Sequence, residues 1–212
     1  MLPDILQKIQ TTCARVGRDP RDVQLIAVTK TKTVSEIRQF ILEHGNFALG
    51  ENRVQEALPK LEALPNAEFH MLGQLQTNKV KFCKDFKLLH GVDNTRILEE
   101  LAKRGEGWGV VPPVLLEVNI AREPQKHGLM PEDVAGVLKV ARELNLNVRG
   151  LMTVAPIGAE EIVRTVFRDL RLMRDTLGLE ELSMGMSDDF VIAIVQGATM
   201  LRIGRALYEA NP

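Results

Sequence analysis

The stretch Val23-Gln24-Leu25-Ile26-Ala27-Val28-Thr29-Lys30-Thr31-Lys32-Thr33-Val34-Ser35-Glu36 decides the fold. Residues 23–29 are a largely apolar run of strand length, suited to a buried strand. Thr33 then reads as a helix N-cap, and Glu36, three residues on, can reach back to the free amide. A buried strand handed directly to a helix is the repeating unit of an α/β protein. Lys30 closes the strand. At a strand's carboxyl end its amine can lie in a semi-dry cleft and act as a carbonyl nucleophile. Lysines at strand ends are also commonly just solvated.

The alternation continues outward from this unit. Strand-length runs fall at 23–29, 46–50, 68–73, 87–92, 113–120, 147–154, 181–186 and 199–203. Between them lie helical stripes: Val34, Ile37 and Ile41 ending at Gly45, and Val54, Leu58, Leu61 and Leu64 ending at Pro65. Val134, Val137, Leu138, Ala141 and Leu144 follow Pro131, which suits a first helical position. Val163, Val166, Leu170, Met173 and Leu177 step by three and four before Gly178. Ahead of the first strand, Leu2, Ile5, Leu6, Ile9, Cys13 and Val16 share the face of a helix over 3–16. Runs such as Val114-Leu115-Leu116 suit parallel strands covered on both faces. Eight such units in 212 residues predict one (β/α)8 TIM barrel over 1–212, with an extra N-terminal helix. An open doubly wound sheet is the alternative, but no G-x-G-x-x-G follows the first strand.

Composition excludes several classes of function. With a formal net charge of -1, nothing draws the whole molecule onto nucleic acid or an anionic membrane. Cys13 and Cys83 are too few and too far apart for a disulfide framework or a zinc knuckle, so reduced thiols are expected. No apolar stretch reaches membrane-spanning length, and Met1-Leu2-Pro3-Asp4 lacks the layout of a signal peptide. The expectation is a soluble, cytoplasmic protein with no nucleic-acid or membrane partner.

In a barrel, chemistry collects at the carboxyl ends of the strands, with phosphate held near strands seven and eight. The residues there are Lys30, Glu51-Asn52, Gly73, Asn119, Thr153, Ser187 and Gly204. The turns Ser183-Met184-Gly185-Met186-Ser187-Asp188-Asp189 and Leu201-Arg202-Ile203-Gly204-Arg205 each run into a helix start, where backbone amides favour an anion. Ser187 can add a hydroxyl, and Gly204 lets backbone approach a ligand. An N-cap serine and an ordinary turn glycine explain the same residues. Asp188 and Asp189 would repel a phosphate, so they are expected to project away and serve the first helical turn.

At this point the sequence resembles the pyridoxal phosphate homeostasis proteins, small single-domain relatives of the alanine racemase barrel. The matching stretches, in order along nearly the whole chain, are Ala27-Val28-Thr29-Lys30-Thr31-Lys32; Gly50-Glu51-Asn52 with Val54-Gln55-Glu56; His70 through Lys79; Val118-Asn119-Ile120 through Lys126 and Gly128; Gly150-Leu151-Met152; Leu182 through Asp189; and Met200 through Gly204. The resemblance implies a barrel of PLP fold type III with pyridoxal 5'-phosphate as cofactor. It implies that Lys30 forms the internal aldimine, that Ser187 and the amides around Gly204 and Arg205 hold the phosphate, and that Asn52 lines the pocket. Arg202 would face the pyridine nitrogen, where a guanidinium disfavours ring protonation and leaves a weak electron sink.

Other positions carry structural expectations. Glu51 is expected to partner Lys32 or Arg53, His70 to be a satisfied core histidine, and Gln76-Thr77-Asn78-Lys79 to begin a helix above the mouth. Asn119 is either a pocket donor or a ladder-end residue, and Trp108 a surface-loop anchor ahead of strand five. Two departures from the family pattern stand out: Thr29 where serine is frequent, and a tail with Glu209 at the usual glycine position.

The function implied is cofactor buffering and delivery in intracellular pyridoxal phosphate homeostasis, affecting amino-acid pools without substrate turnover. Its partners would be apo forms of pyridoxal-phosphate enzymes, and the barrel a monomer or weak dimer. The alternative is a racemase-like enzyme, which needs an acid/base group on each face of the Cα carbanion. Lys30 supplies one, but Tyr208 is expected behind the last strand, away from the other face. An aldolase-type barrel using Lys30 on a sugar phosphate is a third possibility, needing no cofactor.

Overall fold

In the computed structural model, which describes residues 1–208, the chain opens with helix α1, Leu2–Arg15, whose Leu2, Ile5, Ile9 and Cys13 are buried. Strand β1, Gln24–Val28, hands over to α2, Val34–Phe40. Thr33 and Glu36 form the expected capping box: Thr33 Oγ1 accepts from the Glu36 amide at 3.2 Å, and the Glu36 carboxylate accepts from Thr33 N–H at 2.8 Å. The series continues with β2 (Ala48–Glu51), α3 (Val54–Ala63), β3 (Phe69–Gln74), β4 (Leu88–Val92), α4 (Thr95–Trp108) and β5 (Val114–Glu117). It closes with α5 (Val134–Glu143), β6 (Val148–Met152), α6 (Glu160–Leu177), β7 (Glu181–Ser183), α7 (Phe190–Val195), β8 (Met200–Ile203) and α8 (Arg205–Tyr208).

The eight strands form a closed, all-parallel barrel in chain order, with β1 paired to β8 from Gln24↔Met200 to Ala27↔Ile203. All eight lie within the runs read from the sequence or overlap them. The apolar residues divide by strand face. One set, with Phe69 and Phe167 among its largest members, packs between sheet and helices. A smaller set, including Ile26, Leu72, Leu88, Leu115, Met152 and Met200, fills the barrel interior. Among the described residues, no helix is long and apolar enough to cross a membrane. Cys13 and Cys83 are free and buried.

Residues 77–82 form the expected helix, a 3-10 one with Gln76 as its N-cap, so the crossover from β3 to β4 is compact. Two local expectations are corrected. The Val54-Leu58-Leu61-Leu64 stripe fails only at Leu58, which is exposed: Val54 and Leu64 are buried, Leu61 packs against the core, and Ala57 and Lys60 share the buried face. The helix is turned to send Lys60 to a buried carboxylate. Trp108 is no loop anchor but the last residue of α4, partly buried against the main core, and Gly109 at φ 78° ends the helix behind it. Gly105 and Gly107 cost that helix about 1 kcal/mol each relative to alanine. A Cβ on Gly105 would lie 2.4 Å from Val111, so that glycine gives the returning chain its room.

Candidate functional site

Lys30 lies two residues beyond β1, on the register of Ile26 and Val28, which face the barrel interior. Its side chain is exposed at the mouth. The next residue, Thr31, has φ 63°, a left-handed conformation that a β-branched residue adopts only under constraint. Its hydroxyl donates to the Lys30 carbonyl at 2.6 Å. The strand end is held from below by a buried group: Lys60 Nζ donates to Thr29 O and to Glu51 Oε1, both at 2.7 Å, and the Thr29 hydroxyl donates to the same Glu51 oxygen at 2.5 Å. Glu51 therefore partners Lys60 and Thr29, not Lys32 or Arg53. Lys32 instead pairs with Glu36 at 3.3 Å.

A cavity of about 240 Å³ opens here, lined by Val28, Lys30, Lys32, Gly204, Arg205 and Tyr208 together with Thr31. Tyr208 is thus at the cavity rather than behind the last strand. Its ring meets Phe40 edge-on and lies 4.6 Å from the Lys32 ammonium. Its buried hydroxyl has no partner among the described residues, and burial pushes the phenol up from its ordinary range. A larger groove, about 660 Å³, sits at the opposite, amino-terminal end of the barrel beside Gln24, Asn46 and Glu68, away from Lys30. The Glu209 departure lies outside the described residues.

The turns after β7 and β8 meet. The Ala206 amide donates to Ser187 Oγ at 3.4 Å, and Arg205 reaches both oxygens of Asp188 at 2.8 and 2.9 Å. Only one of the two aspartates serves the α7 turn: Asp189 accepts from the Met186 amide at 2.6 Å, while Asp188 is bound by Arg205. Burial raises the Asp189 carboxyl, and its hydrogen bond from the Met186 amide acts the other way. The backbone amides of Ser187 and Asp188 have no acceptor among the described residues. Asn52 stands exposed on the rim just past β2, outside the Lys30 cavity, and a Cβ on Gly73 would come within 2.2 Å of its carbonyl oxygen.

Beneath the mouth, Arg202 is buried on the inward register of β8. It donates to Ser183 Oγ at 2.6 Å and to Thr153 O at 2.8 Å. Burial lowers it to about 10, and Glu117 and Asp189 oppose that shift, so it remains cationic at neutral pH. Glu117, at the end of β5, is raised to about 7 by burial and by Asp93, with Arg202 pulling the other way; its buried Oε2 has no partner among the described residues. Asn119 resolves as structural, exchanging hydrogen bonds with the Glu123 backbone and anchoring the loop after β5. His70 is the satisfied core histidine expected.

Three contributors escape the sequence reading: Lys60, Glu117 and His90, which is buried in β4 between His70 Nδ1 at 3.0 Å and Ser183 Oγ at 2.9 Å. Each leaves a trace, a polar residue inside an otherwise apolar strand or on the buried face of a helix, where it is rarely found unpaired. Lys60 continues the three-residue spacing of Val54 and Ala57, and Glu117 closes Val114-Leu115-Leu116.

A family model described as the alanine racemase N-terminal domain matches residues 3–212. The pyridoxal phosphate homeostasis protein of Deinococcus radiodurans is 42% identical over 207 residues, covering 98% of this chain and 99% of that protein. The chain belongs to the pyridoxal phosphate homeostasis protein family. PipY of Synechococcus elongatus has a solved structure with PLP bound; it is 32% identical, with a TM-score of 0.82, covering 95% of this chain and 100% of that one. Alanine racemase of Clostridium difficile shares the fold, with a TM-score of 0.76 at 14% identity over 99% of this chain and 57% of that one.

Proposed function

We propose that this chain is a pyridoxal 5'-phosphate carrier acting in cofactor homeostasis, with Lys30 as its covalent attachment point. The observation that carries this function is one exposed amine, two residues past β1, opening on the same cavity as Gly204 and Arg205. The surrounding groups fit such a ligand. Ser187, with the free amides of Ser187 and Asp188, would take the phosphate, with the Gly204–Arg205 backbone completing the grip. A Cβ at Gly204 would already lie 3.3 Å from Val28, so the glycine keeps backbone accessible there. Arg202 would face the pyridine nitrogen, and Asn52 would border the ligand from the rim. When bound, the cofactor supplies an aldehyde for the amine and an electron-withdrawing ring.

The chain's own residues favour holding over turnover. A cation fixed by Ser183 and Thr153 opposes a proton at the ring nitrogen and so weakens the ring as an electron sink. Tyr208 lines the cavity, but its hydroxyl is buried and burial pushes the phenol up, which makes it a poor opposing base. The exposure of Lys30 leaves the mouth open to water, which weakens electrostatic stabilisation of a carbanion. The recipients of such a carrier are apo pyridoxal-phosphate enzymes.

To test the attachment, the purified protein is loaded, its visible absorbance recorded, and the complex reduced with borohydride and mapped by mass spectrometry. Modification at Lys30 is expected; modification at Lys32 or Lys79 instead, or no visible band at all, overturns the assignment. Incubation with L-alanine in deuterated water separates carrier from racemase. Deuterium uptake at Cα that vanishes in Lys30→Ala would establish turnover.

A further inference from the structure

The barrel interior carries an unbroken polar file. Ser183 Oγ, which accepts from Arg202, lies 2.9 Å from His90 Nδ1; His90 Nε2 lies 3.0 Å from His70 Nδ1; and His70 Nε2 lies 3.0 Å from Glu68 Oε1. Both histidines, Ser183 and Arg202 are buried, whereas Glu68 is 40% exposed and borders the groove at the far end of the barrel. With Glu68 ionised and both rings neutral, one assignment of protons satisfies every link. Arg202 has only donors, so Ser183 Oγ accepts from it and the hydroxyl must donate to His90 Nδ1. His90 then donates from Nε2 to His70 Nδ1, and His70 donates from Nε2 to the Glu68 carboxylate, which only accepts. Run the other way, Ser183 would receive two donors and its own proton would have no acceptor in the file.

We infer that His70, His90 and Ser183 are positioning residues for Arg202, a file whose sense is fixed by the Glu68 carboxylate and whose far end holds the guanidinium in one orientation. Every hydroxyl and ring proton points away from Arg202, so Ser183 presents it with a pure acceptor. Hydrogen bonds in series polarise one another, which strengthens that last contact. Burial holds the His90 pKa well below the ordinary histidine value, and Arg202 and Arg149 of β6 add to the effect. Arg149 is paired with Glu181 of β7, Glu117 of β5 acts on Arg202, and Gln24 of β1 donates to Glu68 at 3.3 Å. The inward positions Ala48 and Gly50 of β2 bring no charge.

The role assigned to Arg202 rests on the cofactor site proposed above, but the file is a property of the protein by itself. It is tested first on protein without cofactor, labelled with 15N-histidine. Both rings are expected as neutral Nε2–H tautomers at neutral pH; an Nδ1–H tautomer or an imidazolium on either ring overturns the inference. The second test compares two variants. His90→Asn keeps an acceptor near the Nδ1 position for Ser183, whereas His90→Gln keeps only the link toward His70. Pyridoxal phosphate affinity is expected to fall about tenfold in His90→Gln, the scale of one lost charge-assisted hydrogen bond, and to fall measurably less in His90→Asn, which keeps the Ser183 contact but loses the link that sets its sense. Equal losses in the two would reduce His90 to packing and sink the inference. Borohydride trapping at Lys30 in the wild type separates this outcome from failure of the cofactor site. If neither variant folds, the tautomers of the wild-type protein decide alone.

Discussion

Replacing Lys60 by methionine keeps most of the side chain's volume and removes one charge from the group beneath Lys30. The Glu51 side chain is fully buried and the Lys60 side chain is 11% exposed, so this pair is shielded from water as few ion pairs are. In Lys60→Met the Glu51 carboxylate would keep only the Thr29 hydroxyl, its Oε2 already having no partner, and the Thr29 carbonyl would lose its ammonium donor. Breaking one side of a buried pair costs about 3–5 kcal/mol because the other charge stays in low dielectric. For a chain of this size each kcal/mol moves the melting temperature by about 2–4 °C, so a fall of about 6–20 °C is expected. Thermal unfolding followed by far-UV circular dichroism measures the shift, and urea unfolding followed by Trp108 fluorescence measures the free energy. The double variant Glu51→Leu/Lys60→Met removes both charges and should recover to within about 2 kcal/mol of wild type. A loss below about 1 kcal/mol in Lys60→Met alone, the scale of an exposed pair, would refute the reasoning.

Three further outcomes are expected. The folded protein holds the Glu117 proton up to about pH 7, while the unfolded chain releases it near 4.5, so this group's contribution is complete below 4.5 and is lost as pH rises toward 7. Glu117→Gln should flatten that part of the stability–pH profile by up to about 3 kcal/mol, read by urea midpoints at successive pH values. Gly73→Ala places a Cβ where only 2.2 Å separates it from the Asn52 carbonyl oxygen, and should cost about 1–3 kcal/mol in the same unfolding assay. Cys83 is buried and its thiol is pushed up to about 12 by burial, so the native protein should leave it unreacted with a thiol reagent until denaturant is added.

The barrel was legible because its strands are buried on both faces and therefore announce themselves as short apolar runs, each bounded by a helix signal. Thr33 and Glu36 made α2 readable down to its cap, since a capping box is a contact between near neighbours in sequence. What escaped depends on contacts that sequence spacing does not encode. His90 lies inside Leu88-Leu89-His90-Gly91-Val92, and its partners are His70 and Ser183, 20 and 93 residues away. Lys60 was hidden because leucines account for the apolar stripe around it, and only the buried carboxylate of Glu51 explains a lysine on that face. Trp108 was misread because the glycines around it look like a turn, although a helix pinned to the core by Ile97, Leu98 and Leu101 tolerates them. At the mouth, the sequence supplied the residue types, but only the closure of β8 onto β1 puts Lys30 and Gly204 around one cavity.

The plug of Ile26, Leu72, Leu88, Leu115, Met152 and Met200 leaves the barrel without a through-passage. Anything attached at Lys30 has a single doorway, so loading and unloading follow the same path in opposite directions. In the proposed carrier role, a recipient would have to come to that doorway or wait for the cargo to leave by it, and whatever covered the rim would halt both journeys at once.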